Sequence, residues 1–296
     1  MAEKEIQFIG LLGNVDSSII QLDLKNGYQI ESVSLEEGLR LFSQLEGLPP
    51  GEVMRKLLMQ FQCLCEEGKR FYFASKSFKS EEEDGIDSAS SNANKEYAFY
   101  LDPLIKLLRL FKEGNICMPV QYYVSDYGSD PKCGMRGFTI FPVTREAFSL
   151  KGVDMEKLNE FIQNTKLPFK QSFVQLSFEN FELSYQSHSP ALSFLSLMIS
   201  LETLLNPADS EVTHRISRNA AFLLGKDSDD SGRILSEVEK LYRKRSKLIH
   251  AGDVRSILRE DLLKLRTIVR ETIKAVDKSG LNKEQLMEAL NEKGFT

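Results

Sequence analysis

Apolar and polar positions alternate along the first 30 or so residues, as in strands that bury one face. Ile20–Leu24 alternates in this way before Asn26-Gly27, and the alternation resumes at Tyr28–Ile30. Asn-Gly between two alternating runs favours a two-residue turn, so the sequence predicts a β-hairpin here. Ser34-Leu35-Glu36-Glu37 then has the spacing of a capping box and predicts a helix that ends near Gly47.

Short strands and helices continue to about residue 165 and predict an α+β domain over residues 1–168. The predicted elements are helices at 53–65 and 102–114, a short helix capped by Asp154, and strands at 70–75, 117–125 and 135–143. Residues 79–95 are rich in Glu, Asp, Ser and Asn. Such a segment buries too little apolar surface to offset its ordering entropy, which predicts a disordered loop, either solvated or regulatory.

Helical periodicity dominates residues 169–296 and predicts an all-α domain. Residues 172–185 are ambiguous, because their apolar positions alternate like those of a strand. The further predicted helices span 190–205, 211–225, 233–250, 256–277 and 283–291, with Asp227–Gly232 as a polar loop and Gly252 as a C-cap.

Two of these helices carry a charge inside an apolar stripe. In the 233–250 helix, the stripe consists of Leu235, Val238, Tyr242, Arg245 and Ile249. In the 190–205 helix, it consists of Ala191, Leu195, Met198, Glu202 and Leu205. A charge on a buried face needs a partner. We therefore predict a structural ion pair between Glu202 and Arg245, or failing that between Glu202 and either Arg215 or Arg218.

Positive charge surrounds Arg245 along the same helix. Lys240, Arg243, Lys244 and Lys247 follow one another with no acidic residue after Lys240, as suits attraction of phosphate, although a solvated basic face is the alternative. His250 ends the helix four residues after Ser246. A histidine exchanges protons near neutral pH, so His250 is a candidate for proton transfer, with a capping role as the alternative.

Three segments in fixed order carry a resemblance to a known family. They are Leu201–Leu205, Arg215–Leu224, and Leu241-Tyr242 followed by Arg245–Gly252. Together they resemble the Apea-like branch of the HEPN superfamily over about residues 170–296, although Ala251 stands where a glycine usually follows the histidine. The resemblance implies an up-and-down helical bundle that dimerises, and it implies that residues 172–185 form the first helix rather than a strand.

The same resemblance implies a metal-independent endoribonuclease with an Arg-x4-6-His site. Catalysis would then rest on Arg245 and His250, with Ser246 as the polar residue after the arginine. The RNA-binding residues would be Lys240, Arg243, Lys244, Lys247, Arg215 and Arg218. The expected substrate is single-stranded or loop RNA, and the expected role is a bacterial antiphage or toxin-like effector. Residues 1–168 would sense or recruit a protein or ligand partner.

Helix geometry adds a reason to expect a homodimer. Five residues along an α-helix turn through about 500°, which leaves the Arg245 and His250 side chains about 140° apart. One helix does not easily aim both at one phosphate, whereas two helices related by a two-fold axis supply two of each. The non-catalytic alternatives are a helical module that binds RNA or nucleotides, and a scaffold in which the bundle only assembles.

Composition changes this picture little. The chain has 296 residues with a net charge of −5, so a nucleic-acid site must be a local basic patch. Four scattered cysteines and the absence of an apolar signal segment lead us to expect a cytoplasmic protein with free thiols. The longest apolar stretch is too short to span a bilayer. No ligand spacing for a metal is evident, and no cofactor is expected.

Overall fold

The chain divides into two units, Met1–Thr165 and Lys166–Thr296. The boundary predicted from the sequence, after residue 168, lies within three residues of this division. The structure is a computed structural model that describes residues 4–53, 70–80, 97–125, 132–136, 147–206 and 212–292. The first unit combines a sheet with helices, and the second is helical. The predicted order of an α+β region followed by an all-α region is thereby confirmed.

An antiparallel sheet forms the centre of the first unit. Its strand order is β2-β3-β1-β4-β5. The strands are β1 Lys4–Leu12, β2 Gln29–Ser34, β3 Arg70–Ser80, β4 Gln121–Ser125 and β5 Lys132–Arg136. Ile9 of β1 lies opposite Ser75 of β3 and Tyr122 of β4, so β1 runs through the middle. Central strands carry apolar side chains on both faces because both faces are covered.

Helices cover the two faces of this sheet. Helix α1 (Leu35–Glu46) places Phe42 against Phe71 and Phe73 on one face. Helix α2 (Asp102–Phe111) contributes to the core on the other face, together with α3 (Met155–Asn164). The capping box of Ser34 and Glu37 is present at the start of α1, and the Asp154 side chain caps α3, as predicted.

The hairpin predicted before residue 30 is wrong. The turn exists, since Lys25, Asn26 and Gly27 all have positive φ, but it follows a 3-10 helix at Ser17–Gln21 rather than a strand. Asp16 caps that helix through the N–H of Ser18. Strand β2 instead pairs with β3, about 40 residues away along the chain, which no local pattern reveals.

Several other predictions of the first unit meet the limits of the described residues. Most of the predicted helix at 53–65, of the loop at 79–95 and of the strand at 135–143 lies outside them. Within them, β3 continues to Ser80, two residues into the predicted loop. Helix α2 follows a π-helical turn at Tyr97–Leu101, so Asp102 is its first residue and not its N-cap.

Six helices make up the described part of the second unit. They are α4 Ser172–Gln186, α5 Pro190–Leu205, α6 Val212–Leu224, α7 Ser228–Ala251, α8 Arg259–Ser279 and α9 Lys283–Glu292. Residues 172–185 are thus helical, and the strand pattern in them is misleading. The predicted polar loop at 227–232 is the first turn of α7, because the Asp227 side chain accepts the N–H of Asp230 and caps the helix.

Consecutive helices pack as pairs, α4 with α5 and α6 with α7, while α8 packs against α4, α5 and α6. Small residues let α4 and α5 approach, and the hydroxyls of Ser177 and Ser200 lie 2.7 Å apart. Helix α8 carries a buried arginine, Arg266, whose guanidinium lies 4.1 Å from the centre of the Tyr185 ring. Within the described residues, no helix has the length and apolar character needed to cross a membrane.

Candidate functional site

Helix α7 carries most of the predicted site residues near its C-terminus. The helix has 24 residues and ends at Gly252, whose φ of 64° lies in the left-handed region that favours glycine. The N–H of Gly252 donates to the carbonyl of Lys247 and closes the last turn. His250 therefore lies in the final turn, close to the carbonyl end of the helix dipole, where a cation is favoured.

Arg245 lies beside Glu202 of α5, which is the pair that the interrupted stripes predict. Oε1 of Glu202 is 3.2 Å from Nε of Arg245. The same oxygen accepts a hydrogen bond of 3.2 Å from the hydroxyl of Tyr242, one turn before Arg245 on α7. Glu202 thus contacts two side chains of the facing helix through one atom.

The contact between Glu202 and Arg245 is an ion pair rather than a hydrogen bond. Nε of Arg245 is buried and has no hydrogen-bond partner, because its N–H is poorly aligned with the carboxylate despite the short distance. About 32% of the Arg245 side chain remains exposed.

Lys244 is engaged on the inner side of α7. Its Nζ lies 2.5 Å from Oδ2 of Asp261 in the first turn of α8. The same oxygen accepts the backbone N–H of Leu258 at 2.8 Å, so Asp261 also satisfies a donor at the start of α8. Lys244 is predicted from the sequence to bind phosphate. In the structure, its ammonium group is paired with Asp261, 17 positions further along the chain.

Four other cationic or titratable side chains form what we call the outer stripe of α7. They are Lys240, Arg243, Lys247 and His250, and all four are exposed. Their spacing of three, four and three residues places them within about 80° of one another around the helix. In the described part of the chain, none of the four forms an ion pair. The outer stripe is therefore a line of positive charge that faces solvent.

Arg245 points away from the outer stripe. Its angular position lies about 180° from the centre of the stripe and about 140° from His250. Ser246 and Ile249 lie between Arg245 and His250 on the exposed side, and both are exposed themselves. The prediction that Ile249 belongs to the buried stripe is wrong, since its side chain is 47% exposed, and Leu248 is buried instead.

Arg215 and Arg218 lie on α6 and are both half-buried. The guanidinium of Arg218 lies 4.7 Å from the centre of the Phe222 ring, and its Nη2 donates to the carbonyl of Asn291 at 3.5 Å. Arg215 also interacts within the protein. Both arginines have structural contacts, and Glu202 pairs with Arg245 rather than with either of them.

Two residues of the site were not assigned a polar role from the sequence. Tyr242 was placed in the apolar stripe, although a buried tyrosine hydroxyl usually finds a hydrogen-bond partner, which is a usable signal. Asp261 was not singled out, although an acid in the first turn of a helix commonly satisfies the free N–H groups there. What the sequence does not reveal is that this acid meets Lys244.

A groove of about 440 Å³ lies between the first half of α7 and α8, away from Arg245 and His250. Its walls include Ile234, Leu263 and Ile268, with Glu237 at its rim. Glu237 precedes Arg245 by eight residues, or about 12 Å along the helix axis. No group of three or more His, Cys, Asp or Glu side chains suited to a metal ion occurs in the described ranges.

Comparisons of the chain with family models, with curated proteins and with solved structures give no match.

Proposed function

We propose that the helical unit is a metal-independent endoribonuclease of the HEPN type, in which Arg245 and His250 cleave single-stranded or loop RNA. The observation that carries this proposal is the state of Arg245. Its Nε is buried beside Glu202 while about 32% of its side chain remains exposed, on the same helix as an exposed His250. A guanidinium presented in this way suits the oxygens of a phosphate.

RNA supplies its own nucleophile, so the chemistry needs few groups from the protein. The 2′-hydroxyl attacks phosphorus as one His250 accepts its proton, and the bond from phosphorus to the 5′-oxygen breaks as that oxygen receives a proton from the protonated His250 of the second copy. Arg245 stabilises the charge that develops on the non-bridging oxygens. The products are a 2′,3′-cyclic phosphate and a 5′-hydroxyl. Ser246 lies between the two groups around the helix, and in this proposal its hydroxyl contacts the phosphate beside Arg245.

The active form in this proposal is a homodimer. Arg245 and His250 diverge by about 140° on one helix, so a second copy must bring its own His250 near Arg245, or the reverse. The exposed sector between them includes Ile249. Val254 and Leu258 follow further along the chain and are exposed to a similar extent, at 59% and 51%. Burial of these three apolar side chains would favour pairing of two copies at this end of α7.

The outer stripe gives the proposed enzyme its attraction for RNA. Lys240, Arg243 and Lys247 approach His250 along one face, and each charge that meets a phosphate releases a counterion. A cytoplasmic antiphage or toxin-like effector fits this activity, with residues 1–168 as the part that senses or recruits a protein or ligand partner. This role rests on the resemblance to the Apea-like branch.

The test is cleavage of bulk RNA by the purified protein and by two variants, His250→Ala and Arg245→Ala. Each variant should lose at least about a thousandfold in rate, because each removes a group that acts in the transition state. Cleavage should persist in EDTA, and end-group analysis should find cyclic phosphates. Cleavage that depends on a chelatable metal, or that both variants retain in full, would contradict the proposal. Lys226→Ala, which removes an exposed cation before α7, serves as the control.

A non-catalytic RNA-binding module is the second candidate. The observation that favours it is that the outer stripe needs no convergence of Arg245 and His250 in order to hold a polyanion. Under this alternative, wild-type protein binds RNA with a strong dependence on salt and releases it uncut. The assays of cleavage and binding on the same preparation separate the two candidates.

A further inference from the structure

One oxygen of Glu202 lies at the centre of a three-residue contact that the cleavage scheme above does not use. Oε1 is 3.2 Å from the Tyr242 hydroxyl and 3.2 Å from Nε of Arg245. Glu202 comes from the last turn of α5, whereas the other two residues come from adjacent turns of α7. The contact therefore ties the position of Arg245 to a second helix.

Tyr242 is the buried member of this contact. Burial, together with the negative charge of Glu202, raises the pKa of the Tyr242 phenol, so the hydroxyl keeps its proton and acts as a donor. A buried donor needs an acceptor, and Glu202 Oε1 is the acceptor that it has. The hydrogen bond restricts the carboxylate to one orientation facing α7.

A guanidinium offers two edges that can bind two oxygens at once. One edge includes Nε, and the other is formed by the two terminal nitrogens. In Arg245 the Nε position is buried next to Glu202, and 32% of the side chain is exposed, so the edge that we assign to the ligand is the terminal one. A phosphodiester presents two non-bridging oxygens in a plane, which is the arrangement that this edge binds.

We propose that Tyr242 and Glu202 are positioning residues, which hold Arg245 so that its two terminal nitrogens bind the two non-bridging oxygens of the scissile phosphate. This inference rests on the proposed function and assigns a role to two residues outside the Arg-x4-His pattern. Glu202 acts through Arg245, and Tyr242 acts through Glu202. Neither touches the RNA.

The inference separates effects on kcat from effects on KM. Tyr242→Phe keeps every charge but frees the carboxylate, so kcat should fall about five- to tenfold while KM rises no more than about threefold. Glu202→Gln removes a negative charge beside the phosphate site and also loosens Arg245. Its kcat should fall at least as far, while its KM falls or stays constant because the site becomes more positive. Arg245→Lys keeps a cation but lacks the fork, and should lose as much activity as Arg245→Ala.

The matched control is Tyr100→Phe in the other unit. The Tyr100 hydroxyl donates to the carbonyl of Leu24, so this variant also loses one tyrosine hydrogen bond. Melting temperatures should fall by similar amounts in the two variants, whereas only Tyr242→Phe should lower kcat. Equal kcat values for wild type and Tyr242→Phe, alongside an inactive Arg245→Ala, would overturn the positioning role.

A binding measurement keeps this inference separate from the question of cleavage. The probe is an RNA oligonucleotide with 2′-O-methyl groups, which lacks the nucleophile and stays intact. Arg245→Lys should weaken binding of this probe about tenfold, and Tyr242→Phe should weaken it about threefold. If the wild-type protein cuts no RNA, the proposed function fails. The affinities of the Arg245→Lys and Tyr242→Phe variants for the probe still test whether Tyr242 and Glu202 position Arg245 against a phosphate. Binding of the probe that neither substitution changes would overturn it.

Discussion

The inner and outer faces of α7 use the same kinds of side chain in different ways. On the inner face, Lys244 and Arg245 are each held by a carboxylate from another helix, Asp261 and Glu202 respectively. On the outer face, the four members of the outer stripe are exposed. The sequence shows all of them as one basic run. The difference teaches that the role of each cation depends on which helix packs beside it, and not on its neighbours in the chain.

Among variants that test the difference between the two faces of α7, Asp261→Ala should lower the free energy of unfolding most. This substitution removes both the acceptor for the Leu258 N–H and the partner of Lys244, whose side chain is mostly buried. The free energy of unfolding should fall by about 2 kcal/mol, measured by urea denaturation. Glu260→Ala removes an exposed acid from the same turn and should change it by less than about 0.5 kcal/mol. Equal values for the two variants would mean that Lys244 does not depend on Asp261.

The outer stripe should show the opposite behaviour. The double variant Arg243→Gln, Lys247→Gln should lower the slope of log binding constant against log salt by about 1.4 for single-stranded RNA, since each phosphate contact contributes about 0.7. Its free energy of unfolding should stay within about 0.5 kcal/mol of wild type, because both side chains are exposed. Lys226→Gln, Lys278→Gln removes the same charge from other exposed positions of the unit. An identical slope for the two double variants would remove the stripe as the RNA-binding surface.

Lys283 differs from Lys244, because its hydrogen bonds go to carbonyl oxygens rather than to a carboxylate. Its Nζ lies 2.7 Å from the carbonyl oxygens of both Thr203 and Leu204, at the end of α5. Burial lowers the pKa of Lys283 to about 8, from a usual value of 10.5. A neutral amine keeps two N–H groups, so it still serves both carbonyls.

The smallest expected effect follows from this pKa. Between pH 8 and pH 10.5 the unfolded chain holds the Lys283 proton more tightly than the folded protein, so the contribution of Lys283 to stability rises with pH in this window. The free energy of unfolding in urea can be measured for wild type and for Lys283→Met at pH 8 and pH 10. The difference between the two proteins should shift in favour of wild type by on the order of 1 kcal/mol at the higher pH, a value lowered because Lys283 is partly exposed. A constant difference between the two proteins would show that the amine keeps its charge when folded.

Features set by neighbouring residues were predictable from the sequence. The Ser34–Glu37 capping box and the Asp154 cap depend on hydrogen bonds within one turn, and both are present. The pairing of β2 with β3 was not predictable, because it joins segments about 40 residues apart that carry no complementary local signal.

The candidate site divides along the same line. Glu202 and Arg245 each interrupt an apolar stripe, and this shared anomaly points to their contact without knowledge of the packing. The contact between Lys244 and Asp261 depends on how α7 and α8 align, which stripes do not encode. Ile249 was assigned to the buried stripe because the period continues in the sequence, whereas in the structure its neighbour Leu248 is the buried residue.

The double duty of Asp261 has a mechanical consequence for the end of α7. A single oxygen receives both the Lys244 ammonium and the first free N–H of α8, so the two ends of the connecting segment are fastened at one point. Rotation of α7 about its axis would pull Lys244 away from Asp261, the residue that also accepts the Leu258 N–H at the start of α8. His250 follows Lys244 by six residues on the same helix, so its orientation depends on this contact with α8. A ligand that shifts the start of α8 should therefore also move the imidazole of His250.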